Sequence, residues 1–181
     1  IKIMEERSFE YELKIEDDYR KSKENQKQRY FFPLNQETNF RINKFFRTIT
    51  RDKKKLNKTL NIKGRDFEIK NYYEGISRFE FKDLCDQNLG AEDYLEIAKV
   101  SEFIVIENIP QFSDNNSNQQ HRFITLLDIV YDKNIPIAVT ANQNLTEFTS
   151  SQSLENQFKR TISRLHELTS IGHKHNDSRI S

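Results

Sequence analysis

Phe9, Tyr11, Leu13 and Ile15 alternate with polar residues, a period of two that predicts a strand with one buried face. Asp17-Asp18-Tyr19-Arg20 closes that strand, and a solvated run follows over residues 21–29. Tyr30-Phe31-Phe32-Pro33-Leu34 reads as a short extended segment, because proline biases the residue before it away from helix. The period then changes. Ile42, Phe45, Phe46 and Ile49 fall at i, i+3, i+4 and i+7, the single apolar stripe of a helix for which Thr38 is a fitting N-cap. Leu60-Asn61-Ile62, Lys63-Gly64 and residues 66–69 read as a hairpin turning on its glycine, and residues 76–81 as a further strand.

The second half is more regular. Residues 91–99 form a predicted helix with Tyr94, Leu95 and Ala98 on one side. Phe103-Ile104-Val105-Ile106 is a continuous apolar run, as in a strand covered on both faces, and residues 135–139 form a second one. Between them lies a helix over residues 119–133, with Phe123, Leu126, Leu127, Val130 and Tyr131 as its core face. Strand, helix and strand with short connections make a βαβ crossover of parallel strands. A last helix covers residues 154–168. The fold class is therefore α/β. The expected organisation is the end of a helix over residues 1–6, a small α+β insertion over 7–75, an α/β portion over 76–170 and a polar, disordered tail over 171–181.

Hydrophobic residues make up 35% of the 181 and charged residues 31%, and no run approaches the roughly 20 apolar residues of a membrane-spanning helix. A formal net charge of +1 speaks against a dedicated nucleic-acid surface. The dense basic run over residues 51–58 (RDKKKLNK) reads first as a solvated loop; nucleic acid or an acidic lipid surface is the alternative use, with Lys53-Lys54-Lys55 at its centre. One cysteine, Cys85, excludes an internal disulfide framework and fits a reducing compartment; beside the apolar Leu84 it reads as a small buried hydrophobe.

The chemistry is sparse. No G-x-x-x-x-G-K-[ST] occurs, and Gly64, Gly75, Gly90 and Gly172 are too scattered to cradle a phosphate. Glu107-Asn108 and Thr140-Ala141-Asn142 follow the two buried strands, at the edge where open α/β sheets bind ligands. Hydrophobics ending in an acid also form the pattern of a Walker B strand, but such runs are common, and ordinary strand-end residues are the preferred reading. Asp17 and Asp18 have no third ligand nearby, and neighbouring strand residues face opposite ways, so they are read as structural. His173 and His175 sit in the polar tail and His166 on a helix, without cysteine partners; no metal site is expected.

Over residues 78–170, RFEFKDLC, LGAEDYLEIA, FIVIENIP, HRFITLLDIVYDKNIPIAVTA and FKRTISRLHEL follow in fixed order. That succession resembles the C-terminal portion of the cell-division ATPase ZapE and AFG-like P-loop ATPase family. The resemblance implies a P-loop, AAA-like ATPase that hydrolyses ATP with magnesium and acts on protein partners. Those partners would include FtsZ at the bacterial division ring, and a homo-oligomer would fit the class. It also implies that the Walker segments lie upstream, so that residues 103–107 are a later strand and ATP and magnesium are bound mainly outside this chain. Ile1 in place of a start methionine fits a fragment cut downstream of the nucleotide loop, inactive alone. Arg122 in HRFI and Arg160 and Arg164 around the SRL stretch match the family's arginine-bearing segments and become candidate phosphate-sensing residues. His121 departs from the pattern, standing where the family has a first arginine. Arg78, opening the RFEF strand, is weighed as a contact between subunits or domains. The expected location is the bacterial cytoplasm, or the mitochondrion for a eukaryotic source. A non-catalytic α/β protein-interaction module is the alternative reading.

Overall fold

A computed structural model describes residues 29–170. The expected strand at residues 9–15, Asp17 to Arg20, residues 1–6 and the tail over 171–181 lie outside the described residues. Twelve elements follow in order: β1 (Tyr30–Phe31), α1 (Gln36–Ile49), β2 (Lys58–Ile62), β3 (Arg65–Ile69), β4 (Asn71–Tyr73), β5 (Ile76–Glu80), α2 (Phe81–Cys85), α3 (Ala91–Lys99), β6 (Phe103–Ile109), α4 (Ser117–Asp132), β7 (Ile137–Ala141) and α5 (Glu155–Thr169). The main sheet has the order β1-β7-β6-β5-β4, parallel throughout except for β4, which pairs antiparallel to β5.

Alternation along the central strands sorts the core into two layers. Val105 and Ala138 face one side, where they meet Ile42, Phe45, Phe46 and Ile49, the whole predicted stripe of α1. Ile104, Ile106, Ile137 and Val139 face the other, packing with Tyr94 and Ile97 of α3, Phe123, Leu126, Leu127 and Val130 of α4, and Phe158, Leu165 and Leu168 of α5. All five residues of β7 are buried, as the apolar run required. The β6–α4–β7 crossover joins parallel neighbours, with Ile104 opposite Ile137 and Ile106 opposite Val139.

Several local expectations need correction. The cap of α1 is Asn35, whose side chain accepts the Thr38 N–H at 2.9 Å; Thr38 itself lies inside the helix and is buried. Leu95 points outward and Ile97 takes its place against the core, because the stripe of α3 runs through Tyr94, Ile97 and Ala98. Tyr131 is only half-buried, and Phe81 begins α2 rather than ending a strand. The hairpin β2–β3 is present, turning on Lys63 and Gly64, both at positive φ. A second tight hairpin, β4–β5, turns on Glu74 (φ 42°) and Gly75 (φ 97°). Because this hairpin spans residue 75, the expected division there does not coincide with a break in the sheet: β1 and β4 share one sheet with β5, β6 and β7.

Candidate functional site

Parallel pairing brings the carboxyl ends of β5, β6 and β7 to one edge, which gathers Glu80, Glu107, Asn108 and Thr140. Strand β6 is irregular there, its register on β7 shifting between Ile106 and Ile109. Asn108 sits in the shift at φ 63°, a left-handed conformation that asparagine tolerates better than most residues. Its N–H donates to Thr140 Oγ1 at 2.8 Å and its Nδ2 to Glu80 Oε1 at 3.1 Å.

Glu107 is occupied from the other direction. Arg78 lies opposite Val105, two residues before Glu107, so both side chains share the α1 face of the sheet. The guanidinium donates from Nε to Glu107 Oε1 at 2.6 Å and from Nη2 to Oε2 at 2.9 Å, and Nη2 also reaches Asn43 Oδ1 of α1 at 2.7 Å. It lies 4.7 Å from the centre of the Phe46 ring. Both ionic side chains are largely buried, at 16% and 12% exposure. Arg78 therefore works within its own chain, tying β5, β6 and α1. With Glu107 fully engaged and Asn108 bonded to its neighbours, the strand-end reading of this pair accounts for the contacts made.

A cleft of about 610 Å³ opens beside this pair. Its walls hold four carboxylates (Glu68, Glu80, Asp83 and Glu107) against two cations, Lys70 and the committed Arg78. An acidic excess repels a triphosphate, so the side chains lining this cleft do not suit ATP.

The loops beyond the edge are cross-tied. Gln120 of α4 is fully buried; its Nε2 donates to Ser150 Oγ and its Oε1 accepts the Ser151 N–H. Gln111 accepts from both Thr149 N–H and Oγ1, and Phe112 stacks on Phe148 at 6.1 Å. Gln143 accepts at its carbonyl from Tyr30 Oη at 2.6 Å, yet both atoms of its buried amide and the Ser151 hydroxyl find no hydrogen-bond partner among the described residues. Burial raises the Tyr30 hydroxyl pKa, so this donor stays protonated. The sequence reading of this edge stopped at Asn142; nothing in local composition marks Gln143 as the buried amide.

Of the three candidate arginines, Arg160 and Arg164 meet on one carboxylate and Arg122 lies apart. Helix α5 runs from the carboxyl edge back toward the start of β7, where Arg29 donates to both Ile137 O and Leu168 O. Arg164 donates to Asp128 of α4 and stacks 4.6 Å from the Tyr131 ring centre, and Tyr131 in turn donates to Glu167 at 2.9 Å. The Glu167 hydrogen bond, foremost, raises the Tyr131 pKa. Arg160, one turn nearer the carboxyl edge, reaches the same Asp128 at 3.5 Å and is 59% exposed. Arg122 does not join them; it donates to the carbonyl of Cys85 at 3.1 Å. Cys85 is buried, and that burial pushes its thiol up to about 12, which removes it as a nucleophile near neutral pH. Among the described residues no group of three His, Cys, Asp or Glu is placed to hold a metal ion, and no helix is long and apolar enough to cross a membrane.

Four parallel strands covered by helices on both faces, with polar side chains gathered at the carboxyl edge, define an open-sheet α/β protein. The AFG1-like ATPase family model matches residues 1–175, and the chain belongs to that family. Lactation elevated protein 1 homolog B of Danio rerio is 32% identical over 111 residues, which cover 61% of this chain and 22% of that protein. Cell division protein ZapE of Escherichia coli K12 is 25% identical over 153 residues, covering 84% of this chain and 41% of that protein. The chain thus spans less than half the length of these curated relatives. No solved structure matches it significantly.

Proposed function

We propose that this chain is the C-terminal portion of an ATPase that uses ATP and magnesium to act on protein partners, with the phosphate-binding groups supplied by residues outside it. Family membership over residues 1–175 supports the ATPase reading, and the observation that carries the division of labour is the acidic, phosphate-repelling cleft at the carboxyl edge. The likeness to a cell division protein favours a bacterial, cytoplasmic role in division, with FtsZ as the partner to test. Of the three candidate arginines, Arg160 is the one with freedom to reach a phosphate: it is more than half exposed, loosely held, and one turn nearer the carboxyl edge than Arg164. Arg164 and Arg122 are braces.

The test is turnover. Purified residues 1–181 are expected to hydrolyse ATP no faster than background, because the groups that hold β- and γ-phosphates are absent from the sequence. Magnesium-dependent turnover by this chain alone would overturn the proposal.

A further inference from the structure

Helix α1 turns Ile42, Phe45, Phe46 and Ile49 into the sheet, and its outer face carries Phe40, Lys44, Arg47 and, just past the helix, Arg51. Spacings of four, three and four residues put them in one row. Phe40 is 61% exposed, and Leu34, just before the helix cap, is 38% exposed. Lys54 and Lys55 follow in the chain and are exposed. The Leu56 N–H donates to Tyr72 O and the Lys54 N–H to Glu74 Oε1, which fasten that segment along the outer edge of the sheet. Among the described residues, none of Lys44, Arg47, Arg51, Lys54 or Lys55 forms an ion pair. From Arg41 to Lys58 the sequence holds eight basic residues against one acid, Asp52. Taking that +7 from the chain's +1 leaves −6 on the remainder, so the basic excess is concentrated in this stretch of the sequence.

We infer that this face rests on an anionic phospholipid surface, with the cations on headgroup phosphates and Phe40 in the boundary with the acyl chains. Three features favour lipid over other anions. The back of a single helix is convex, so it offers no groove to clasp an acidic peptide but suits a plane of phosphates. Exposed Phe40 and Leu34 flank the cations, as apolar side chains flank basic ones on peripheral membrane proteins, whereas a nucleic-acid backbone gives an isolated phenylalanine nothing to bury against. The basic excess is concentrated in one stretch of the sequence, so an anionic bilayer would draw that stretch toward it and set the orientation. The attachment is peripheral.

Co-sedimentation with vesicles tests this, using purified protein that carries the whole chain. Binding is expected to vesicles of phosphatidylcholine mixed with phosphatidylglycerol, not to phosphatidylcholine alone, and should weaken as salt is raised. Each cation near such a surface contributes about fivefold, so Lys44→Glu/Arg47→Glu/Arg51→Glu should lower partitioning by roughly a hundredfold or more. Phe40→Ser should lower it by about tenfold. Lys99→Glu, an exposed charge on α3, should change it little, and circular dichroism should show each variant folded. Equal binding to both vesicles, binding to neither, or retention by the charge-reversed variant would overturn the inference. Capture by duplex DNA at a salt concentration where the mixed vesicles fail would likewise overturn it and assign the face to nucleic acid.

Discussion

Replacing Arg78 with alanine probes the joint on which β5, β6 and α1 meet. The substitution removes both bonds to Glu107, the bond to Asn43 and the contact with Phe46. Glu107, at 12% exposure, is then left charged, largely out of water and without a counterion. Breaking a buried pair from one side costs about 3–5 kcal/mol, most of it the desolvation of the abandoned partner. For a unit of this size each kcal/mol moves the thermal midpoint by about 2–4 °C, so Arg78→Ala should lower it by roughly 10 °C. Arg78→Lys keeps the charge but not the fork, and should fall between. The decisive variant is Arg78→Met/Glu107→Met, which leaves no orphaned charge and should return to within about 1–2 kcal/mol of the parent. Thermal and urea unfolding of the three variants supply the numbers. A shift below about 2 °C for Arg78→Ala, or a double variant no better than the single one, would refute the reasoning.

Two other expectations follow from the arginines and the thiol. In the protein that carries the complete catalytic apparatus, Arg160→Ala should slow ATP turnover by at least about tenfold with an unchanged thermal midpoint. Arg164→Ala should do the reverse, losing about 1–3 kcal/mol of stability while turnover per folded molecule stays within about twofold; a turnover loss at Arg164 would put that guanidinium on phosphate instead. Cys85, fully buried with its thiol pushed up to about 12, should resist alkylation at neutral pH until the protein is unfolded in denaturant; rapid labelling of the native protein would contradict its place in the core.

Periodicity disclosed what a helix or strand buries, and little about what it meets. The α1 stripe and the apolar runs of β6 and β7 were legible because one face, or both, must avoid water along several consecutive turns or residues. Strand β4 was not, since three residues between a bend at Lys70 and the Glu74–Gly75 turn carry no measurable period. Asn35 was passed over for Thr38 because both residue types cap helices and only the backbone at Asn35 is extended. The Arg78–Glu107 pair was beyond reach for another reason: the residues lie 29 apart, and only the register of β5 on β6 sets them on one face. From the sequence Arg78 could be weighed only as a contact with another subunit or domain, its partner on β6 being out of sight. The arginines of α5 were visible as residues, but their sharing of Asp128 depends on how α4 and α5 cross, which neither helix encodes alone.

Arg29 brings the two ends of the described unit together. Its N–H donates to Thr169 O, its carbonyl accepts from Val139 N–H, and its buried guanidinium reaches Ile137 and Leu168 while lying 5.5 Å from the Phe103 ring centre. Arg29 and Thr169 therefore sit side by side. One buried cation closes the unit there, so β1 and the end of α5 stand or fall together. Opening that joint would free the short β1 from β7, and with it the link that carries the chain into α1.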